Sequence, residues 1–468
     1  MSPGFLLRLG KVLNLLLWPF LLLLLPLFLL FVPRARPHIR ERFGLGGGGI
    51  SKNAQTILFH LASLGEANAA TPLIRSLYSE GVPLILTATS ESGRGALMKA
   101  FPDIPVSLLP LDLPGIWDPF WRSRRVSRVI LFETEIWPMM LLTAYSRKIP
   151  VMVVNGRLSP AGFSSMARWR FLLKPLFSGL SRVLVSSSDD RDRYLMMGVS
   201  EDVLDVTGNI KWDMPRPESS PEAVLLREDL EGWIVRFEED CRKFMEPEER
   251  SGENPKSSGK DGYVRVVLGS AHPGETLRIV QVLLNDPDWS RRVHLLVAPR
   301  HLQKVAEFTR EGSSLSRVNL QFRSRKKENR EPSFKKGPIV SILDTHGELR
   351  TLYSLSHLAI TGGTFDPVGG HSPVEAASCG IPQVAGPFTD HVSSLVDSLL
   401  KGGGMCREND EEALLSRLKW FSANPDEREK MGELALGVFL SEQGALSGTL
   451  VSLRRFIKEG RSPEAESP

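Results

Sequence analysis

Cysteine is scarce in this sequence: Cys241, Cys379 and Cys406 are the only three in 468 residues. They stand far apart and form no CxxC pair, which excludes a disulfide framework and suits a reducing compartment. Charge of one sign is scarce as well. The net charge of +4 is small for this length, and no RNP, zinc-finger or recognition-helix pattern accompanies it, so nucleic acid is not an expected partner. HExxH, GxSxG and Cys/His zinc spacings are missing, which removes the case for a zinc protease, a serine hydrolase of that type or a structural zinc site. No repeat of solenoid period is present.

One long hydrophobic run is present, "VLNLLLWPFLLLLLPLFLLFVP" from Val12 to Pro33, without a charge between Lys11 and Arg34. It has about the 20 residues needed to cross a hydrocarbon core. A cleaved signal peptide would have a shorter apolar part ending in small residues, whereas this run ends in "FVPRARP". Pro19 and Pro26 leave re-entrant or interfacial placement open beside spanning, which is favoured. Arg34, Arg36, Arg40 and Arg42 outnumber Arg8 and Lys11, so the positive-inside rule leaves the bulk of the chain cytoplasmic. Those arginines are also able to hold anionic membrane lipids. Residues 1–43 therefore read as an anchor with a basic flank, joined to the body by the flexible tether "GLGGGG", Gly44 to Gly49.

From residue 50 to 213 short apolar runs alternate with helical stretches: "TILFHLA", "PLILTATS", "RVILFETE", "PVMVVNG", "RVLVSSS" and "VLDVTGN". That alternation predicts a parallel sheet with right-handed crossovers. Residues 214–262 are charged and Pro-containing, with room for one amphipathic helix, and read as an interdomain linker with an insertion. A second series, "VRVVLGS", "VHLLVAP", "GPIVSIL", "HLAITGG" and "PQVAGP", makes a second α/β domain over 263–458, with a disordered tail at 459–468. The basic stretch Arg323 to Gly337 reads as a solvated loop or an anionic-membrane contact. Two doubly wound units in tandem predict a cleft between them, with chemistry at the carboxyl ends of the strands.

The residues that carry chemistry follow those strand ends. In "LAITGGTFDPVGGHSPVEAASCGIP" a strand gives way to a loop with Gly369 and Gly370, and a helix begins near His371, Ser372 and Pro373, with Glu375 in its first turn. Glycines admit a ligand close to the backbone and a helix start offers N–H groups to phosphate, while the Glu375 carboxylate is placed to accept from ribose hydroxyls. "LGSAHPGE" adds Ser270, His272 and Glu275; "VAPRH" adds Arg300 and His301; "DTHGEL" adds Gly347, Glu348 and Leu349. Arg300 is the natural partner of a phosphate or carboxylate. In the first domain "FETEIWP" supplies Glu133 and Glu135, "VNGRLS" supplies Asn155 and Arg157, and "GNIKWD" supplies Asn209, Lys211 and Asp213. An orienting role is expected for the two glutamates, because Trp137-Pro138 ends the strand that carries them. His60, inside a strand, reads as packed. Glu66, after Ser63 and Gly65 in "FHLASLGE", reads either as a helix-terminus carboxylate or as a base exposed at a strand end.

Taken in order, "FHLASLGE", "LPLDLP", "FETEIWP", "VNGRLS", "TGNIKWD", "APRH", "DTHGEL" and "GGTFDPVGGHSPVEAA" give a chain that resembles the 3-deoxy-D-manno-octulosonic acid (Kdo) transferases from about "RPHIRERFG" to residue 440. The resemblance implies a GT-B fold: two Rossmann-like α/β domains facing a central cleft, behind an N-terminal membrane anchor. It implies an inverting transfer of Kdo from CMP-Kdo to a lipid A precursor at the cytoplasmic face of the bacterial inner membrane. Glu66 matches the family's general base, and the CMP site maps onto Arg300, the Gly347 to Leu349 turn and Glu375. Lys211, Arg157 and His272 become candidates for the donor's carboxylate. Neither a metal nor another cofactor is expected. The sequence departs from the family pattern at His346, Ser372 and Gly156, where methionine, asparagine and alanine are usual. Two other readings stand beside this one: a GT-B enzyme using a UDP-sugar on another lipid, and a tethered sugar-nucleotide or lipid-binding protein without catalysis.

Overall fold

A computed structural model describes residues 38–45, 55–113, 115–215, 220–245, 263–310, 318–325 and 337–459. The apolar run at 12–33, the glycine run from 46 and the tail from 460 lie outside the described residues. The chain divides into two compact units, one formed by residues up to Asp213 together with those from Glu442, the other by Met214–Ser441.

The first unit is a parallel sheet of seven strands: β1 (Thr56–Leu61), β2 (Leu84–Ala88), β3 (Val106–Leu108), β4 (Val126–Phe132), β5 (Val151–Gly156), β6 (Arg182–Val185) and β7 (Leu204–Val206). Their order is β3-β2-β1-β4-β5-β6-β7. Every residue of β1 is buried, which is why "TILFHL" reads as a continuous run: helices cover both faces, and alternate residues feed different cores. Leu58, Val129 and Leu131 join one cluster, while Ile57, Phe59, Ile130 and Phe132 join the other. The second cluster also takes Ala445, Leu453, Phe456 and Ile457 from the helix Ala445–Lys458.

The second unit repeats the plan with β8 (Val264–Ala271), β9 (Val293–Pro299), β10 (Asn319–Phe322), β11 (Ile339–Ile342), β12 (Leu358–Thr361), β13 (Gln383–Ala385) and β14 (Met405–Arg407), in the order β10-β11-β9-β8-β12-β13-β14. Here the backbones of β8 and β12 approach closely at their ends. A Cβ added to Gly362 would lie 2.2 Å from the Gly269 carbonyl oxygen, so this position admits only glycine.

Two expected boundaries change. Within the 214–262 segment the helix Pro221–Met245 is part of the second unit: Leu230, Trp233 and Ile234 pack with Val267, Leu296 and Leu352, while residues 246–262 lie outside the described part. Its Glu238 holds Arg265 and His294 at 2.9 Å, and that buried histidine reaches Ser341 at 2.6 Å. The last helix, in turn, belongs to the first unit and not to the second. Asp213 accepts from the backbone N–H groups of Gly444 and Leu446, both at 2.6 Å, and Arg128 donates to the Phe456 carbonyl at 2.7 Å. Apolar residues at helical spacing in 445–457 find their partners on a sheet far back in the sequence, which spacing alone does not reveal.

The chain emerging from the N-terminal run also docks on the first unit. Arg42 donates to the carbonyls of Leu109 and Thr89 at 3.0 and 2.8 Å, and Glu41 accepts from the Leu108 N–H at 2.7 Å and from Arg94 at 2.8 Å. Arg42 thus faces the protein and not a headgroup as expected. Arg323, the first residue of the basic stretch, is likewise not solvated: it is buried and paired with Asp229 and Glu348 at 2.5 and 3.0 Å, while residues 326–336 lie outside the described part.

Candidate functional site

In each sheet the chain lays strands to one side of the first strand and then crosses to the other side. The switch falls between β1 and β4 in the first unit and between β8 and β12 in the second. Loops leaving the sheet there diverge and open a crevice at the carboxyl ends of the strands.

In the first unit Glu66 stands just after β1, in the opening turn of the helix Leu64–Ser79. Ser63 caps that helix, accepting from the Glu66 N–H at 3.3 Å and donating to the Glu66 carboxylate at 2.9 Å; the Ala62 N–H binds the other carboxylate oxygen at 2.7 Å. The Ser-x-x-Glu spacing is that of a capping box, although the carboxylate reaches the N–H of Ala62, one residue before the cap, and a capping role alone would leave the carboxyl solvated. Instead it is only 9% exposed, and burial, followed by the charge of Glu133 and then Glu135, raises its pKa to about 7. Like charges and desolvation both disfavour the ionised form.

Glu133 ends β4 in the left-handed conformation, at φ 59°. Burial works to raise its pKa, but Lys211 at 2.9 Å and Arg157 at 3.6 Å prevail and hold the carboxyl below its ordinary range. Asn155, also left-handed at φ 53°, accepts from the Ile210 N–H at 3.0 Å, and Asn209 accepts from the Lys211 N–H at 3.0 Å. The structure therefore brings Glu66, Glu133, Asn155, Arg157, Asn209 and Lys211 to one strand-end edge. It adds a pair the sequence did not connect: His60, fully buried and bonded to Thr87, has Nε2 3.6 Å from Glu135, which accepts from the Trp137 indole at 2.8 Å. A histidine inside a strand beside a T-E-x-W turn was the available signal. The glycine at 156 is accommodated by Tyr194, whose hydroxyl would stand 3.1 Å from a Cβ there.

In the second unit His272 follows β8 and His371 closes the loop after β12. Their Nε2 atoms are 2.9 Å apart, and the His301 ring lies edge-on to His272 at 6.4 Å. Burial, then the charge of Arg300, brings the His371 pKa down to about 4. The Arg300 side chain is exposed. Ser270, next to last in β8, has φ 55° where the register with β9 shifts. Gly363, at φ 72°, supports the His371 ring, which a Cβ there would approach within 3.1 Å. The Gly370 and His371 N–H groups donate to the carbonyls of Gly363 and Gly362 at 2.9 and 3.1 Å, and His391 donates to the Gly369 carbonyl at 2.9 Å. Glu275 ties the loop down, its carboxylate accepting from Gly363 and Phe365 at 2.9 and 3.0 Å.

Some expected ligands are placed otherwise. Gly347, Glu348 and Leu349 follow β11, two strands from β8. The Glu348 carboxylate is taken up by Arg323, at 3.2 and 3.0 Å, and by Thr345; only the backbone of that turn remains for a ligand. The short helix begins at Val374, after Pro373, and the exposed Ser372 lies 3.5 Å from the Val374 N–H. The Glu375 carbonyl accepts from the Ser378 hydroxyl at 2.7 Å, while its half-buried carboxyl, pushed up by burial against the opposing charge of Arg350, has no hydrogen-bond partner among the described residues. No group of three or more His, Cys, Asp or Glu among the described residues is arranged to hold a metal ion.

Residues 37–214 match the family model of 3-deoxy-D-manno-octulosonic-acid transferase (kdotransferase). The 3-deoxy-D-manno-octulosonic acid transferase of Haemophilus influenzae is 27% identical over 454 residues, covering 94% of this chain and 97% of that protein. That of Bordetella pertussis is 27% identical over 428 residues, covering 89% and 91%. Among solved structures, Alr3699/HepE of Anabaena in complex with UDP superposes with a TM-score of 0.55 at 11% identity, covering 86% of this chain and all of that one (100%). A UDP-GlcNAc 2-epimerase of Neisseria meningitidis does so at 0.53 and 15% identity, over 86% and 100%. These last two share the fold; an epimerase among them shows that the fold alone does not select the reaction.

Proposed function

The chain belongs to the 3-deoxy-D-manno-octulosonic-acid transferase family, and from that premise we propose that it is an inverting GT-B glycosyltransferase moving Kdo from CMP-Kdo to a lipid A precursor. The observation that carries the reading is Glu66: a buried carboxyl at the switch point with a pKa of about 7. A sugar hydroxyl is a poor nucleophile at neutral pH, and a base is most effective when its pKa lies near the working pH.

In the reaction Glu66 takes the proton of the acceptor hydroxyl as its oxygen bonds to the anomeric carbon of Kdo. The bond from that carbon to the phosphate oxygen breaks, and CMP leaves with the electron pair. A single displacement inverts the carbon. Glu133 stays ionised through Lys211 and Arg157, so its charge keeps the Glu66 pKa high without competing for the proton. Arg300 and the histidines after β8 and β12 meet the donor's negative charge. Lys211, Arg157 and His272 are the candidates for the Kdo carboxylate.

The acceptor is a lipid, and several features support work at the cytoplasmic face of the inner membrane. The run 12–33 precedes a segment, 38–45, that docks at the ends of β2 and β3, the edge on which Glu66 also stands. Trp169 and Phe171, 59% and 63% exposed, stand beside the exposed Arg168, Arg170 and Lys174 in the stretch that follows β5, an aromatic and basic combination suited to an anionic bilayer surface.

The test is transfer of Kdo from CMP-Kdo to a tetraacyl lipid A precursor by wild type and Glu66→Gln, with CMP binding measured in both. Transfer by wild type, competition by CMP and not by UDP, and a variant that binds CMP without transferring are the expected results. A folded wild type that fails to transfer, or that is inhibited by UDP in preference to CMP, overturns the reading.

A further inference from the structure

The histidines at the second unit's strand ends do more than add polarity. The His272 and His371 rings lie nearly parallel, at 7°, with centroids 5.2 Å apart and their Nε2 atoms 2.9 Å apart, so the two rings meet nitrogen to nitrogen. A contact of that length between imidazole nitrogens needs one N–H and one lone pair, so the empty pair holds a single proton between its two Nε2 atoms. Arg300, His301 and Lys304 face it from the turn after β9, Asp366 from the loop after β12, and His391 from the turn after β13. Asp366, the anion in this set, is already engaged by Arg278 at 2.7 Å. Burial resists a second proton: it holds His272 below the ordinary histidine range against the opposing charge of Asp366, and with the charge of Arg300 it brings His371 to about 4. An arriving anion reverses that balance, because it favours the charged imidazole.

We propose that the pair is a proton-coupled anion receptor: the donor's phosphate or carboxylate, on arriving beside Arg300, brings a proton from solvent onto the pair, breaks the Nε2 to Nε2 hydrogen bond and turns both N–H groups toward the anion. This rests on the reading that a CMP-sugar is the donor and is bound by this unit. No bond between heavy atoms changes; the donor's bond to hydrogen in water or buffer breaks as the N–H bond forms at the second Nε2, the lone pair of that nitrogen taking the proton. The empty site is thereby less repulsive to its own cations, and the occupied one gains a second charged donor. The receptor is also selective, since a neutral sugar has no means of drawing the proton in.

The experiment is titration calorimetry of CMP into the full-length protein, at one pH near 7, in buffers of differing ionisation enthalpy. We expect uptake of about one proton per CMP bound, and an affinity that falls about tenfold per pH unit through the window between the empty and occupied pKa values. The phosphate of CMP, with a second pKa near about 6, would instead release a proton on binding as the dianion, so the sign separates the two sources. In the His272→Gln/His371→Gln double variant the uptake should vanish and the affinity become flat with pH. Binding by wild type without uptake overturns the proposal and leaves the transferase reading standing. Uptake that persists in the His272→Gln/His371→Gln double variant also overturns it. Failure of wild type to bind CMP at all overturns the donor reading itself.

Discussion

After β1 and β4 the first unit sets Glu66, Glu133 and Glu135 at its switch point; after β8 and β12, the same point of the second sheet, the chain sets His272 and His371, with Arg300 and His301 from the next strand. One physical cause acts on both. Burial disfavours charge, so it lifts the Glu66 carboxyl to about 7 and presses the His371 imidazole down to about 4. The acidic edge thereby gains a carboxyl whose pKa lies near neutral pH, and the basic edge gains an imidazole that is neutral there, the state from which the proposed proton uptake starts. A common scaffold position thus carries the proposed base in one unit and the proposed receptor in the other, on side chains that lie in the loops and first turns after the strands: Glu66 five residues after β1, His272 one after β8 and His371 ten after β12.

The contrast is broken most severely at Glu66. Glu66→Gln should lower Kdo transfer by about 10² to 10⁴-fold in a radiochemical assay, with CMP affinity unchanged. An effect on CMP affinity would show that the division of labour between the units is wrong. Lys211→Met leaves Glu133 without its nearest cation, and denaturant unfolding should show a loss of about 2–3 kcal/mol, again without change in CMP affinity. Arg300→Met is its counterpart in the second unit. That side chain is exposed and unpaired among the described residues, so its loss should weaken CMP binding by about 10- to 100-fold and leave the melting temperature as it is.

The remaining tests sharpen the comparison. The folded-state pKa of Glu66, about 7, lies above the ordinary 4.5. Between those values the folded chain keeps a proton that the unfolded chain has lost, so this group's contribution is fully present below 4.5 and fades as pH rises to 7. Glu66→Gln cannot ionise, and should be more stable than wild type by about 1–3 kcal/mol near pH 8 and equal to it near pH 4 by denaturant titration. The smallest effect belongs to Gly363→Ala. A strained φ of 72° and a Cβ 3.1 Å from the His371 ring should cost about 1 kcal/mol in stability and weaken CMP binding a few-fold, sparing the Glu66 titration.

Strand ends were well marked in the sequence, because buried parallel strands are continuous apolar runs and the polar residues after them stand out. The strands that passed unread, β3, β10 and β14, are all edge strands of three or four residues. Half-paired and short, they show neither a run nor an alternation. At the site, Glu66, Glu133, Asn155, Arg157, Asn209 and Lys211 were found as separate motifs, and their meeting at one edge follows from strand order. What the motifs did not show was which carboxylates were already committed: Glu348 to Arg323 and Glu275 to the Gly363 and Phe365 N–H groups. Such commitments depend on partners tens of residues away, and residue spacing carries no record of them.

The docked segment around Arg42 changes what the glycine run after it is for. Glu41 and Arg42 grip the ends of β2 and β3 before the chain reaches the glycine run, so the segment 38–45 is held on the first unit directly. In the proposed membrane setting, the standoff of the acceptor crevice from the bilayer is then set upstream of the grip, between the apolar run and residue 38. Lengthening the glycines should be harmless, whereas adding a few residues between Pro33 and Pro37 would lift the crevice away from its substrate's sugars, as a longer leg lifts a table.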